Sequence, residues 1–171
     1  ACGAMLISAQ AQDAIWSIGK PDGTGIEFAP GARPQLVYTI GEHNVSRDFA
    51  GHHSGSLGFD GKTNEQPYAI AFDLKEAPSG RYELVLDLMY RSGAPRQLKV
   101  QVNDKLGIFP VRHEQKKSID PDEANSMLLA KQHLVVPIDA AWLKKEQNRI
   151  SITPLGIGGI DYDAVSFRRP A

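Results

Sequence analysis

The most constraining feature of the chain is a set of short runs with a period of two, each cut off by glycine, proline, asparagine or aspartate. From Tyr82 to Arg91, Tyr82, Leu84, Leu86, Leu88 and Tyr90 share one parity, while Glu83, Asp87 and Arg91 take the other. Successive side chains of an extended chain point to opposite faces, so this run is a strand with one buried face. Leu98, Val100 and Val102 alternate with Lys99, Gln101 and Asn103 in the same way, and Ser92-Gly93-Ala94-Pro95 between the two runs reads as a hairpin or a sheet-crossing turn. Similar runs recur at Ile15 to Ile18, Leu36 to Ile40, Tyr68 to Leu74, Ile108 to Val111, Leu134 to Ile138, Arg149 to Thr153 and Tyr162 to Phe167. About nine short strands without intervening amphipathic helices predict an all-β antiparallel sandwich. Two helical pieces are expected as connectors: 123–130, capped by Asp120 or Asp122, and Ala140 to Lys145, capped by Asp139.

Composition bounds the partners. Nineteen Lys and Arg against twenty Asp and Glu give a net charge of -1, which offers no overall field for nucleic acid. Cys2 is the only cysteine, so neither an intrachain disulfide nor a cysteine-based zinc cluster is available. Residues 1–11 are uncharged and small or apolar, and Ala9-Gln10-Ala11 resembles a signal-peptidase site. The expectation is a residual signal peptide or leader followed by a single domain over 12–171, with a secreted or periplasmic location. No later run approaches the ~18 apolar residues of a membrane span.

The stretch Gly41 to Gln66 lacks strand character and is rich in Gly, His, Asn and Asp, the composition of a functional loop. With the tip after Tyr90 it supplies the candidate carbohydrate-binding residues His43, Arg47, His52, His53, Tyr90 and Arg91. Guanidinium and imidazole groups read sugar hydroxyls, and an Arg and His cluster would favour an acidic sugar. The adjacent His52 and His53 would aim at opposite faces if they lay on a strand. His43, His52, His53, Asp48 and Asp60 could also form a metal site, although no helical His-x3-His spacing specifies one. Asp161 and Asp163 share one parity and, with Asp22 and Glu27, are candidate calcium ligands, set against the plainer role of satisfying loop N–H groups. Trp16 reads as core, and Trp142 as a packing anchor with an edge that could stack on a sugar. A Gly-x-Ser-x-Gly elbow and a phosphate-binding glycine loop are both missing.

Several phrases in order carry a family resemblance: Ile15-Trp16-Ser17-Ile18-Gly19-Lys20-Pro21-Asp22-Gly23, Tyr38-Thr39-Ile40-Gly41, Ile70-Ala71-Phe72-Asp73-Leu74, Leu98-Lys99-Val100-Gln101-Val102-Asn103, Asn148-Arg149-Ile150-Ser151-Ile152 and Tyr162-Asp163-Ala164-Val165-Ser166-Phe167. The chain resembles the carbohydrate-binding-like jelly-roll domain at the C-terminus of rhamnogalacturonan lyases of polysaccharide lyase family 4, and related modules of secreted bacterial polysaccharide-degrading enzymes. The resemblance implies a galactose-binding-like β-sandwich with a sugar-binding or accessory role beside the catalytic domain of a parent enzyme. It also implies that the lyase chemistry resides elsewhere, and it transfers no binding residue. The rival readings are a small lyase or glycoside hydrolase using His52 or His53 with Asp161 or Asp163, and a structural module that packs on a neighbouring domain without binding sugar.

Overall fold

A computed structural model of the chain describes residues 14–30, 37–90, 97–111 and 130–170, without the side chains of Tyr90 and Ala130. Its strands are β1 (Ala14–Gly19), β2 (Val37–Thr39), β3 (His52–Ser54), β4 (Tyr68–Phe72), β5 (Arg81–Tyr90), β6 (Gln97–Val102), β7 (Lys105–Pro110), β8 (Ala130–Asp139), β9 (Asn148–Leu155) and β10 (Gly159–Arg168). They form two five-stranded sheets. One runs β1-β10-β5-β8 with β3 also on β10, and the other runs β2-β4-β9-β6-β7. The all-β sandwich expected from the alternation is present. Among the described residues all strand pairs are antiparallel except β2 with β4, so the second sheet is mixed.

Alternation builds the core. Tyr82, Leu84, Leu86 and Leu88 of β5 and Ile160, Tyr162, Val165 and Phe167 of β10 turn inward against Ile70, Leu98, Val100, Ile150 and Ile152 of the facing sheet, and all are buried. Phe167 joins the sheets, because its ring lies 5.6 Å from Trp16 and 5.3 Å from Tyr82 in its own sheet and 5.0 Å from Phe72 in the other. Strands β5 and β6 belong to different sheets, and the Ser92 to Pro95 connector between them lies outside the described residues.

Two local features depart from simple alternation. In β10 the register against β5 shifts between Tyr162 and Ala164, so Asp163 occupies a bulge and the inward parity passes from Tyr162 to Val165. Within the long loop, Asn44 caps a four-residue helix, α1 (Val45–Asp48), and β3 then joins the edge of β10. At Asp139 the expected cap is present: its Oδ1 accepts from the Ala141 N–H at 2.8 Å, although the helix it starts is a single 3-10 turn, Ala140–Trp142. Leu143, not Trp142, is the buried anchor there, while Trp142 is 36% exposed. The helix expected over 123–130 lies outside the described residues except for Ala130, which begins β8; the leader and Cys2 also lie outside them.

Candidate functional site

The long loop uses most of its imidazole and guanidinium groups to hold itself together. His43 Nδ1 accepts from the Thr39 N–H at 2.8 Å, and the ring packs 5.7 Å from Tyr38. Arg47 donates to both carboxylate oxygens of Asp48, at 2.9 and 2.8 Å, and this guanidinium, helped by the Asn44 N–H, pulls the Asp48 carboxyl down to about 2.

His53 is a correction to the binding list. On β3 the two histidines do aim at opposite faces, and His53 points inward with 1% exposure. Its Nε2 lies 2.6 Å from the Gln66 carbonyl, which can only accept, so Nε2 carries the proton and Nδ1 accepts from the Tyr162 hydroxyl at 2.9 Å. The ring stacks on Tyr68 at 3.6 Å, and burial pushes the imidazole down to about 4 while raising the Tyr68 phenol to about 12. With both nitrogens committed, His53 is a core tie and neither a sugar contact nor a base.

The depressed His53 value sets a pH dependence. Below its ordinary value of 6.5 the unfolded chain takes up a proton that the folded chain refuses until about pH 4. Stability therefore falls as the pH drops through that window, by about 3 kcal/mol in all, and this contribution levels off below it. Urea midpoints measured from pH 7 down to 4 should decline accordingly, and a flat profile would contradict the buried neutral ring.

The acidic candidates do not converge. His52 Nδ1 donates to Asp161 Oδ1 at 2.8 Å across the β3–β10 pair, with the imidazole 62% exposed. Asp163, displaced by the bulge, turns away, and both its oxygens accept from the Gly23 N–H at 2.8 and 2.9 Å. Asp22 Oδ1 accepts from the N–H and hydroxyl of Thr24, and Glu27 Oε1 accepts from the Lys20 N–H. The expected side-by-side Asp161 and Asp163 pair is thus broken by the bulge. These carboxylates satisfy loop donors, and among the described residues no group of three or more His, Cys, Asp or Glu is placed to hold a metal. Among the described residues, Glu27 Oε2 is the one buried carboxylate oxygen left without a hydrogen bond. Arg91 and the side chain of Tyr90 lie outside the described residues.

The open concave surface lies elsewhere, on the outer face of the β2-β4-β9-β6-β7 sheet. Outward residues of β9 (Arg149, Ser151, Thr153) and β6 (Lys99, Gln101) pair across the sheet, with Gln101 opposite Ser151 and Lys99 opposite Thr153. On the other side of β9, Ala69 and Ala71 of β4 oppose Ser151 and Arg149. Small side chains in the middle strands and longer ones on β6 leave a trough. Glu65, Pro67, Lys99, Gln101, Asn103, Arg149, Ser151 and Thr153 line a groove of about 470 Å³. A second groove of about 460 Å³, bordered by Val37, Thr39, Glu42, Ala71, Asp73, Gln147 and Arg149, continues toward β2. Arg149 belongs to both.

The groove's charged and amide groups divide into committed and uncommitted ones. Lys99 is ion-paired with Glu65. Asn103, at φ 52, is structural: Nδ2 donates to the Trp142 carbonyl at 2.7 Å and Oδ1 accepts from the Arg149 N–H at 2.9 Å, tying the β6–β7 turn to β9. Gln101 uses its Nε2 on the Asn103 carbonyl at 2.8 Å and keeps Oε1 for a ligand. Leu106 and Ile108 of β7, opposite Gln101 and Lys99, are 58% and 52% exposed and give this face an aliphatic margin. Such a surface can accept hydroxyls at Gln101 and Ser151 and pack sugar C–H groups on the margin, while Thr153 is buried beneath it. Sequence reasoning placed Lys99, Gln101 and Asn103 on a polar strand face and Arg149 to Thr153 in a strand, but did not assemble them, because the grouping depends on which strands pair.

Residues 14–167 match the family described as CBM-like, polysaccharide lyase family 4, domain III. No curated protein matches the chain. Among solved structures, the chain is similar to part of a family GH115 4-O-methyl-α-glucuronidase with specificity for decorated arabinogalactans (TM-score 0.47, 14% identity, 100% of this chain and 19% of that one). It is also similar to part of a β-porphyranase of glycoside hydrolase family 86 from the human gut bacterium Bacteroides plebeius (TM-score 0.44, 18% identity, 73% and 22%), and of a ruminal GH26 endo-β-1,4-mannanase (TM-score 0.45, 12% identity, 91% and 26%). The chain therefore spans 19 to 26% of the length of these proteins. With the family match running from the first described strand to the end of the last, the chain belongs to the CBM-like family of polysaccharide lyase family 4, domain III.

Proposed function

We infer that the chain is a non-catalytic accessory module of polysaccharide degradation and that it holds its polysaccharide in the groove across the outer face of the β2-β4-β9-β6-β7 sheet. The observation that carries this reading is the pair of grooves joined at Arg149, bordered by polar groups that the fold leaves uncommitted. A preformed, open trough of this kind suits a chain lying along a surface better than it suits a reaction centre, which needs an enclosed site and convergent acid and base. The exposed His52 and Asp161 pair borders neither groove. Tethered to a catalytic domain, such a module raises the local concentration of substrate and needs only modest affinity to do so. A secreted bacterial enzyme acting on pectic or related polysaccharide is the setting this reading favours, and a galactose-binding-like topology is part of it.

Affinity electrophoresis of the full chain in gels containing pectic, hemicellulosic or host polysaccharide, with reducing ends assayed on the same mixtures, tests the proposal. Retardation by one polymer class without new ends is expected. New reducing ends, or free migration in every gel, would overturn it.

A further inference from the structure

We propose that the turn carrying Phe59 is a second contact point for glycan, standing beyond the end of the groove, where a pyranose ring stacks its C–H face on the phenyl ring. The inference rests on the groove being the carbohydrate site and adds to it a preference for chains long enough to reach both places.

Phe59 is 98% exposed, the most exposed of the large apolar residues among the described ones. The backbone around it holds the ring out in water. A Leu57–Thr63 bridge, the Gly58 N–H donating to the Lys62 carbonyl at 2.9 Å and the Gly61 N–H donating to the Gly58 carbonyl at 3.0 Å close a short finger with Phe59 and Asp60 at its tip. Asp60 Oδ1 accepts from the Lys62 N–H at 3.1 Å, and Gly61, at φ 77, takes the left-handed conformation of the turn. The base is fixed as well. The Ser56 N–H donates to the Pro154 carbonyl and the Leu57 N–H to the Gly156 carbonyl, both at 3.0 Å, while the Ser56 hydroxyl accepts from the Gly156 N–H at 3.1 Å. A ring already held in place loses little freedom on meeting a ligand, and covering it recovers the free energy of its exposed apolar area.

The same roots put the finger at one end of the groove. The groove runs along β9 from Arg149 to Thr153, and the residues that follow, Pro154 and Gly156, carry the finger. On its way back to β4 the chain passes Glu65 and Pro67, both of which line the groove. Three residues separate Ser56 from the tip, a span of about 10 Å in extended chain. Phe59 therefore stands past the last groove residues and meets a chain that leaves the groove over Thr153.

The surroundings favour a sugar over a protein partner. Asp60, Lys62, Thr63 and Asn64 of the finger are all exposed and polar, with Asp60 and Lys62 3.8 Å apart. Ile157, 46% exposed on the rooting turn, adds only a little apolar surface. A standard protein interface needs about 800 Å² on each partner with an apolar centre. One flat ring among carboxylate, ammonium, hydroxyl and amide groups instead matches one pyranose, which has an apolar face and a rim of hydroxyls.

The test titrates the wild-type chain, Phe59→Ala and Phe59→Trp with soluble rhamnogalacturonan, galactan, galactomannan and xylan, and with size-sorted oligosaccharides cut from each. Because the ring touches solvent, all three proteins should melt alike. For the polymer that the wild type binds, Phe59→Ala should be about five- to tenfold weaker, and the deficit should vanish for the shortest fragments that still bind the groove. Phe59→Trp should bind the polymer at least as tightly as the wild type, and its emission should move to shorter wavelength on binding by more than that of the wild type. Equal binding of the polymer by Phe59→Ala and the wild type would overturn the platform, assign the finger to a protein surface and leave the groove as the sugar site. A deficit of the same size for fragments of every length would overturn its placement beyond the groove. If the wild type binds none of the four polymers, the carbohydrate reading itself falls and the platform with it.

Discussion

Replacing Phe167 by alanine should destabilise the protein by about 3–5 kcal/mol, because a large buried ring is removed from a site that cannot collapse around the gap. Phe167 is 0% exposed and touches rings from both sheets: Trp16 and Tyr82 beside it, and Phe72 opposite. Each of these neighbours is itself wedged in β1, β5 or β4 and cannot move into the cavity without disturbing a strand. The loss also removes the offset-stacked contacts with Trp16 and Tyr82, each worth a further fraction of a kcal/mol beyond area. Against a total stability of about 5–15 kcal/mol, this is a large share. A drop in the melting temperature of roughly 10 °C is expected for a domain of this size. A shift of only a degree or two would mean that the two sheets do not share this aromatic joint.

Much of that joint was legible in the sequence. The parity of Tyr82, Leu84, Leu86 and Leu88, and of Leu98, Val100 and Val102, names the inward residues correctly because a strand with one buried face has no other way to distribute its side chains. Trp16 follows from the same rule, whereas Phe167 has the opposite parity to Tyr162 and turns inward beside it only because of the bulge between them. The bulge at Asp163 was not legible, since an inserted residue leaves the alternation looking intact until the partner strand is known. For that reason Asp161 and Asp163 looked like neighbours and are not. Strand β3 was also hidden: His52–Ser54 carries no apolar alternation and is recruited by the edge of β10, a contact between residues more than 100 positions apart in the chain.

Side-chain chemistry alone drew the candidate site to the loop. Imidazoles and guanidinium groups concentrate in the loop from Gly41 to Gln66, and composition drew attention there. The structure spends His43, His53 and Arg47 on the loop's internal order. Lys99, Gln101, Arg149 and Ser151 were each readable as outward residues of polar parity, yet nothing in a linear pattern says that β6 and β9 lie side by side in a register placing Gln101 against Ser151. Local rules decide which way a residue points, whereas long-range pairing decides what it points with.

The second large effect concerns the groove. Ser151 faces outward from β9 between Gln101 and Ala69, close to the middle of the trough. A tryptophan there would fill the space a sugar ring needs while leaving the inward neighbours Ile150 and Ile152 untouched. Outward substitutions away from packed features alter stability by only about 0.5 kcal/mol, so the Ser151→Trp protein should melt close to the wild type. Its affinity for polysaccharide should fall by about a hundredfold, the consequence of blocking a preformed site instead of weakening one contact. Substituting His52 by alanine, in contrast, removes an exposed imidazole paired with Asp161 at the edge of the other sheet and should leave retention unchanged.

The most direct test of the account is therefore affinity electrophoresis of the wild type, Ser151→Trp and His52→Ala side by side in a gel containing the polymer that retards the wild type. The account predicts retardation of the wild type and His52→Ala and free migration of a folded Ser151→Trp. Retardation of Ser151→Trp equal to wild type, with His52→Ala released, would place the sugar on the loop edge and contradict a site on the sheet face.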